Sequence, residues 1–182
     1  MDAHQVDGLT VYRFESGWVG TNMYVLIHCG EALIVDPHFD PEAGAMLAGV
    51  SKVTVFLTHE HPDHTCGIPR LKKQFEVSLV FSELAAKAIG NKKNNRPLTI
   101  AMSVAEKDKK NGTNYLPKFL SEFGEYACQA DVTFETEMEF DWHGDKFVFT
   151  PTPGHSQGSC CIKMNDTAVF TGDNLIWDTP VI

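Results

Sequence analysis

Residues 52–57 read KVTVFL and run straight into Thr58-His59-Glu60-His61-Pro62-Asp63-His64-Thr65. A short apolar, β-branched run bounded by polar residues predicts a buried strand, so the histidines begin where a strand ends. On extended backbone, side chains at i and i+2 point the same way. His59 and His61 can therefore converge on one metal ion, while Asp63 and His64, at the turn into the next helix, offer a carboxylate and an imidazole to a second ion alongside. An H-x-H-x-D-H string in a chain with 8 His arises by chance with a probability on the order of one in a thousand.

Outward from this loop the chain alternates strand and helix patterns. Upstream, residues 10–14 predict a strand, and residues 23–28 and 32–35 predict a hairpin. Asp36-Pro37 ends its second strand, because proline cannot donate to a ladder and restricts the residue before it. Residues 41–48 predict a short helix with Asp40 as N-cap and Pro41 at its first position. Downstream come a helix over 67–75, a buried strand over 77–81 and a helix capped by Ser82. A helical segment follows near 90–130, opened by a Lys- and Asn-rich turn, in which Leu116, Phe119, Leu120, Phe123 and Ala127 share one face. Its default role is core packing. Residues 133–140, 146–150, 159–164 and 168–170 return to strand. The stretches 22–36 and 159–173 both read as hairpins whose second strand ends at an aspartate, so the chain has two similar halves, the second unfinished.

The chain has 182 residues, 43% hydrophobic and 21% charged, values ordinary for a globular protein. This length predicts a single domain over 1–182. Fifteen Lys and Arg against 24 Asp and Glu give a net charge of -9, which argues against nucleic acid and anionic membrane as partners. No run is long and apolar enough to span a bilayer, and MDAHQVDGLT lacks the marks of a signal peptide. Five cysteines without a C-x-x-C pair argue against a disulfide framework. A cytoplasmic protein is expected, with oligomeric state left open.

Four residues shared between two ions leave both short of ligands. His155, in the Gly-rich turn Thr152-Pro153-Gly154-His155-Ser156-Gln157-Gly158-Ser159, and Asp173, in Thr171-Gly172-Asp173, both fall at predicted strand ends. Three neutral imidazoles from His59, His61 and His155 make a site with an open position for water. Asp63, His64 and a bridging Asp173 make a more oxygen-rich second site.

The ordered strings LIVDP (33–37), THEHPDHT (58–65), TPGHSQGS (152–159) and TGD (171–173) resemble the metallo-β-lactamase superfamily, and within it the glyoxalase II-like hydrolases. The resemblance covers nearly the whole chain. It implies an α/β fold, a four-layer αββα sandwich of two pseudo-symmetric halves with metals at one end. It also implies that His59, His61 and His155 bind one ion, that Asp63, His64 and Asp173 serve another, and that Asp36 is an acid behind the ligands. Zinc is the expected metal, with iron and manganese suited to the same donors. The expected activity is hydrolysis of a small ester, thioester or lactone by metal-held hydroxide, Asp63 orienting the nucleophile and taking its proton.

Two departures qualify this. Dinuclear members carry another histidine after Asp173, and here none follows His155. The expectation is a chain lacking the fold's C-terminal elements; a mononuclear site, or water or another residue in the vacant position, are the alternatives. Second, Cys66-Gly67 stands where such hydrolases often have Gly-Gly, and a small packed cysteine is the expected role. A mononuclear iron oxygenase of the persulfide dioxygenase kind, using His59, His155 and Asp173, is one rival; a nuclease of the same superfamily and an inactive metal-binding fragment are others. His4, His28, His38 and His143 are not expected to be ligands. Lys92, Lys93 and Arg96 could meet an anionic substrate group, with a solvated loop as the default.

Overall fold

The computed structural model describes residues 1–175. Strands β1 (Asp2–Val6), β2 (Leu9–Glu15), β3 (Asn22–His28) and β4 (Glu31–Val35) form an antiparallel meander. The chain then passes through helix α1 (Pro41–Met46) to β5 (Lys52–Phe56), and through α2 (Pro62–Thr65) and α3 (Ile68–Gln74) to β6 (Glu76–Ser82). Helices α4 (Glu83–Ile89), α5 (Leu98–Asn111) and α6 (Leu116–Glu122) precede β7 (Val132–Phe134). β4, β5, β6 and β7 are mutually parallel, which completes a seven-stranded sheet in sequence order. The strands β8 (Met138–Trp142), β9 (Asp145–Pro151), β10 (Cys160–Met164) and β11 (Ala168–Phe170) make a second, antiparallel sheet.

Two apolar layers hold these elements together. Ile34, Val53, Val55, Leu79 and Phe81 on one face of the large sheet bury against Ala43, Ile68, Leu71, Ala85 and Ile89 of α1, α3 and α4. Leu33, Val35, Phe56 and Val80 on the other face meet Phe147, Phe149, Cys160 and Ile162 of the second sheet. The alternation along β4 and β5 thus supplies both layers at once, as a strand buried on both faces requires. Helix, sheet, sheet is the layering of the described residues; a second helical layer, expected from the resemblance, is not among them.

Several sequence expectations need correction. Residues 133–140 are not one strand: the exposed Glu135, Thr136 and Glu137 carry the chain from β7 in one sheet to β8 in the other. The alternation of residues is the same in both sheets, so periodicity cannot see the crossing. Residues 2–6, left out of the strand pattern, form the edge strand β1, with residues 2–5 exposed and thus no apolar alternation to betray them. In the helical segment, α6 stops at Glu122, and Leu120 is 42% exposed while Phe119 is buried beside Trp18.

The topology sets where a site can form. β4 and β5 are parallel, so their carboxyl ends lie at one edge of the large sheet. In the second sheet β10 is antiparallel to both neighbours, so the end of β9, the start of β10 and the end of β11 share one edge. The Cys160 amide donates to the Thr58 carbonyl at 2.8 Å and the Ser82 hydroxyl to the Gly158 carbonyl at 2.8 Å, which brings the two edges together.

Candidate metal centre

Asp36 follows β4 with a positive φ of 55° and is 1% exposed. A carboxylate so buried requires donors, and it has three: the Thr58 amide at 2.8 Å, the Thr58 hydroxyl at 2.5 Å and His64 Nδ1 at 3.0 Å. The Thr58 hydroxyl also lies 3.1 Å from His59 Nδ1. Its single proton goes to the carboxylate, so toward His59 it accepts. His59 is thereby fixed with its proton on Nδ1 and its Nε2 lone pair free, and Asp36 turns the Nδ1 edge of His64 inward in the same way. Gly172, φ 52°, lies over this pivot: a Cβ there would overlap the Thr58 hydroxyl.

The structure brings all six sequence-predicted residues together. Ligand atoms of His59, His61 and His155 lie within 4.8 Å of one another, and His155 Nε2 is 3.0 Å from His61 Nδ1. The His59 ring lies 4.1 Å from that of His64, centroid to centroid. Asp173 bridges the two groups, 3.2 Å from His64 Nε2 and 3.5 Å from His155 Nε2. Asp63, in the first turn of α2, is 3.7 Å from His64 Nε2, and the Thr21 hydroxyl donates to its Oδ2 at 2.8 Å. The cluster runs from buried His59 and His64 to half-buried His61 and exposed His155.

Burial, then the neighbouring His64 and His61, pushes the His59 pKa down to about 2, so this imidazole is neutral and its lone pair available. His61 is lowered by burial and by His155. Burial opposes the His64 imidazolium too, yet the carboxylates of Asp36, Asp173 and Asp63 outweigh it and raise its pKa to about 10. Asp173 is the converse: burial raises it, but His64 and the other imidazoles bring it down to about 2.

These donors fit a divalent metal. His59 Nε2 is a buried nitrogen without a hydrogen-bond partner, an arrangement that costs free energy unless something else takes its lone pair. The trio Asp36, His59 and His64 also has ligand atoms within 4.8 Å. Both Asp36 oxygens, however, are already occupied by Thr58 and His64, so Asp36 orients imidazoles rather than offering itself to an ion.

Two contributors escaped the sequence reading. Glu60 points away from His59 and His61, as strand alternation dictates, and accepts from the Ser156 hydroxyl at 2.8 Å and the Gly158 amide at 3.4 Å. It fastens the loop carrying His155. Thr58 is the other, and its position before the first histidine was the available signal. Cys66 is buried, its thiol pushed up to about 12 by burial, which matches a packed small side chain. His38 is buried as well, but its Nε2–H donates to the Phe14 carbonyl at 3.0 Å, away from the cluster.

A sandwich with imidazoles and carboxylates gathered at the joined sheet edges defines a metallo-hydrolase type of site. The metallo-β-lactamase superfamily profile matches residues 16–176, and the chain belongs to that superfamily. A protein named a probable metallo-hydrolase, from Streptococcus pyogenes serotype M6, is 24% identical over 176 residues, covering 94% of this chain and 68% of its own. An uncharacterized Aquifex aeolicus protein is 26% identical over 162 residues, covering 83% and 65%. This chain thus spans about two thirds of the length of these curated relatives. Among solved structures, the BLEG-1 B3 metallo-β-lactamase superposes with a TM-score of 0.66 at 23% identity, covering 91% of this chain and 73% of that one. The FEZ-1 metallo-β-lactamase of Legionella gormanii gives 0.61 at 14% identity, covering 90% and 60%. At these identities the likeness shows the fold. No helix among the described residues is long and apolar enough to cross a membrane.

Proposed function

We propose that this protein is a metal-dependent hydrolase of small ester, thioester or lactone substrates. In this reading His59, His61 and His155 hold one ion and Asp63, His64 and Asp173 a second, with zinc the metal of choice and manganese or iron compatible with the same donors. The observation that carries it is the convergence of three imidazoles within 4.8 Å, with the buried Nε2 of His59 lacking any other partner.

A divalent ion bound there would supply Lewis acidity, polarising a substrate oxygen and bringing the pKa of water toward about 7. The chain's own residues do the rest. Thr58 and Asp36 fix the tautomers of His59 and His64. Thr21 holds Asp63 by Oδ2, which leaves Oδ1 to take the proton of the attacking water. Glu60 and Ser156 hold the loop that presents His155. Five free thiols suit a reducing cytoplasmic setting.

The test is reconstitution of the metal-free chain with zinc, manganese or iron, followed by assays on 4-nitrophenyl esters, thioesters and lactones. Turnover that needs the metal and disappears in His61→Ala and His155→Ala is expected. Metal uptake with no turnover of any of these substrates would overturn the reading, and oxygen consumption by the iron form on a persulfide would replace it with an oxygenase.

A further inference from the structure

Beside the imidazole cluster lies a cavity of about 620 Å³, within the size range of sites for small organic ligands. One wall belongs to the histidine loop, with His61 and Asp63; the facing wall belongs to the segment after α4, with Lys93, Asn94, Thr99 and Ser103. The two walls differ in charge. Asp63 makes the cluster wall acidic, and the chain as a whole carries -9. Lys93 is the cation of the opposite wall, and among the described residues no carboxylate lies within ion-pair distance of it, whereas nearby Arg96 is paired with Glu125 at 3.2 Å.

The turn that carries Lys93 is anchored, unlike a solvated loop. Lys93 belongs to a single 3-10 turn, Lys92–Asn94, opened by Asn91, whose side chain accepts from the Lys93 amide at 3.1 Å. The turn closes on Asn95, which is 1% exposed and donates from Nδ2 to the carbonyls of Ile89 at 2.8 Å and Tyr126 at 3.2 Å. A buried amide bonded to both flanks of the segment fixes where the lysine emerges. The Ser103 hydroxyl and the second amide hydrogen of Asn94, whose first goes to the Ala88 carbonyl at 3.0 Å, stand beside it on the same wall, while the Thr99 hydroxyl is committed to the Arg96 carbonyl at 2.6 Å; hydrogen-bond donors next to an ammonium are what an anion requires.

We propose that the substrate carries an anionic group remote from its scissile carbonyl, and that Lys93 binds this group and sets the specificity. The proposal rests on the hydrolase reading for the position of the scissile bond. It assigns the acyl side of the substrate a carboxylate or comparable anion, seated across the cavity from His61.

The experiment uses matched pairs. For turnover, 4-nitrophenyl half-esters of succinate, glutarate and adipate are compared with the neutral butyrate, valerate and hexanoate esters on the metal-loaded protein. For binding, glutaranilic acid is compared with valeranilide by calorimetry on metal-loaded and metal-free protein, which needs no turnover. The wild type is expected to favour the anion in both. In Lys93→Ala the anion-to-neutral ratio falls about five- to tenfold, as for a charge-assisted bond weakened by solvent. It inverts in Lys93→Glu, and Lys93→Arg retains it. Lys92→Ala, which removes the same charge from the adjacent residue that does not line the cavity, keeps the wild-type ratio. Equal ratios in all variants, an equal fall in Lys92→Ala, or no preference for the anion in the wild type overturns the proposal. Preferential binding of glutaranilic acid through Lys93 with no turnover of esters, thioesters or lactones would sustain the anion site and refute the hydrolase reading instead.

Discussion

Replacing Thr58 by valine keeps the shape of a fully buried side chain and removes one hydroxyl. That hydroxyl donates to Asp36 and accepts from His59. A hydrogen bond to an ionised carboxylate contributes ~1.5–3 kcal/mol, and a buried N–H left without an acceptor costs ~1–3 kcal/mol. Asp36 retains the Thr58 amide and His64, which limits the loss. A net destabilisation of ~2–4 kcal/mol in the metal-free protein is expected, a large share of a typical stability of ~5–15 kcal/mol. Metal affinity should fall as well, because His59 no longer has a fixed tautomer; removal of such supporting bonds typically costs ~10–100-fold. Urea unfolding of the metal-free protein measures the first effect, and competition for zinc with a chromophoric chelator measures the second. Thr58→Ser, which keeps the hydroxyl, should recover most of both. If Thr58→Val left the unfolding midpoint unchanged and zinc affinity within twofold, the argument that this hydroxyl sets the His59 tautomer would be wrong.

Gly172→Ala attacks the same pivot from the other side. With φ at 52° and a Cβ overlapping the Thr58 hydroxyl, it should destabilise by ~2–4 kcal/mol, and its combination with Thr58→Val should be clearly non-additive in urea unfolding. Zinc at about 100 times its dissociation constant should add ~2.7 kcal/mol of stability, seen as a melting temperature raised by ~5–10 °C and reversed by chelation. The same rise in His59→Ala would place the ion elsewhere. Burial raises the Cys160 and Cys128 thiols above their ordinary pKa, Cys128 to about 11, so at pH 8 both are protonated and slow to react. Mass-resolved labelling should modify exposed Cys29 first and Cys160 only on global unfolding; early labelling of Cys160 would show that the sheet interface opens locally.

What was legible in the sequence was whatever is encoded within a few residues. Asp40 caps α1 by accepting from the Glu42 and Ala43 amides, with Pro41 in the first turn, as its spacing predicts. Ser82 caps α4 by accepting from the Ala85 amide. The histidine loop was legible because alternation and the turn into α2 decide side-chain direction locally. His155 and Asp173 were found as strand-end residues, although nothing local says that the two sheet edges meet; that depends on pairings such as Cys160 with Thr58. Glu60 escaped because its partners, Ser156 and Gly158, lie almost a hundred residues away. The helical periodicity past Phe123 misled for a related reason. Tyr126 is drawn off to a hydrogen bond with Thr65 in the histidine loop, and that partner outweighs the local preference for helix.

The straddling of two sheets by the cluster bears on the order in which the molecule assembles. Neighbours in the seven-stranded sheet follow one another along the chain, so Asp36, His59, His61 and His64 can find their places while contacts are still short-range. His155 must then close a loop of 94 residues onto His61, at an entropic cost on the order of 4 kcal/mol. Where that closure falls after the rate-limiting barrier, metal binding and the rate of folding are uncoupled. An ion spanning both sheets would therefore leave the refolding rate nearly untouched and lengthen the lifetime of the native state, so that chelation would register first as faster unfolding.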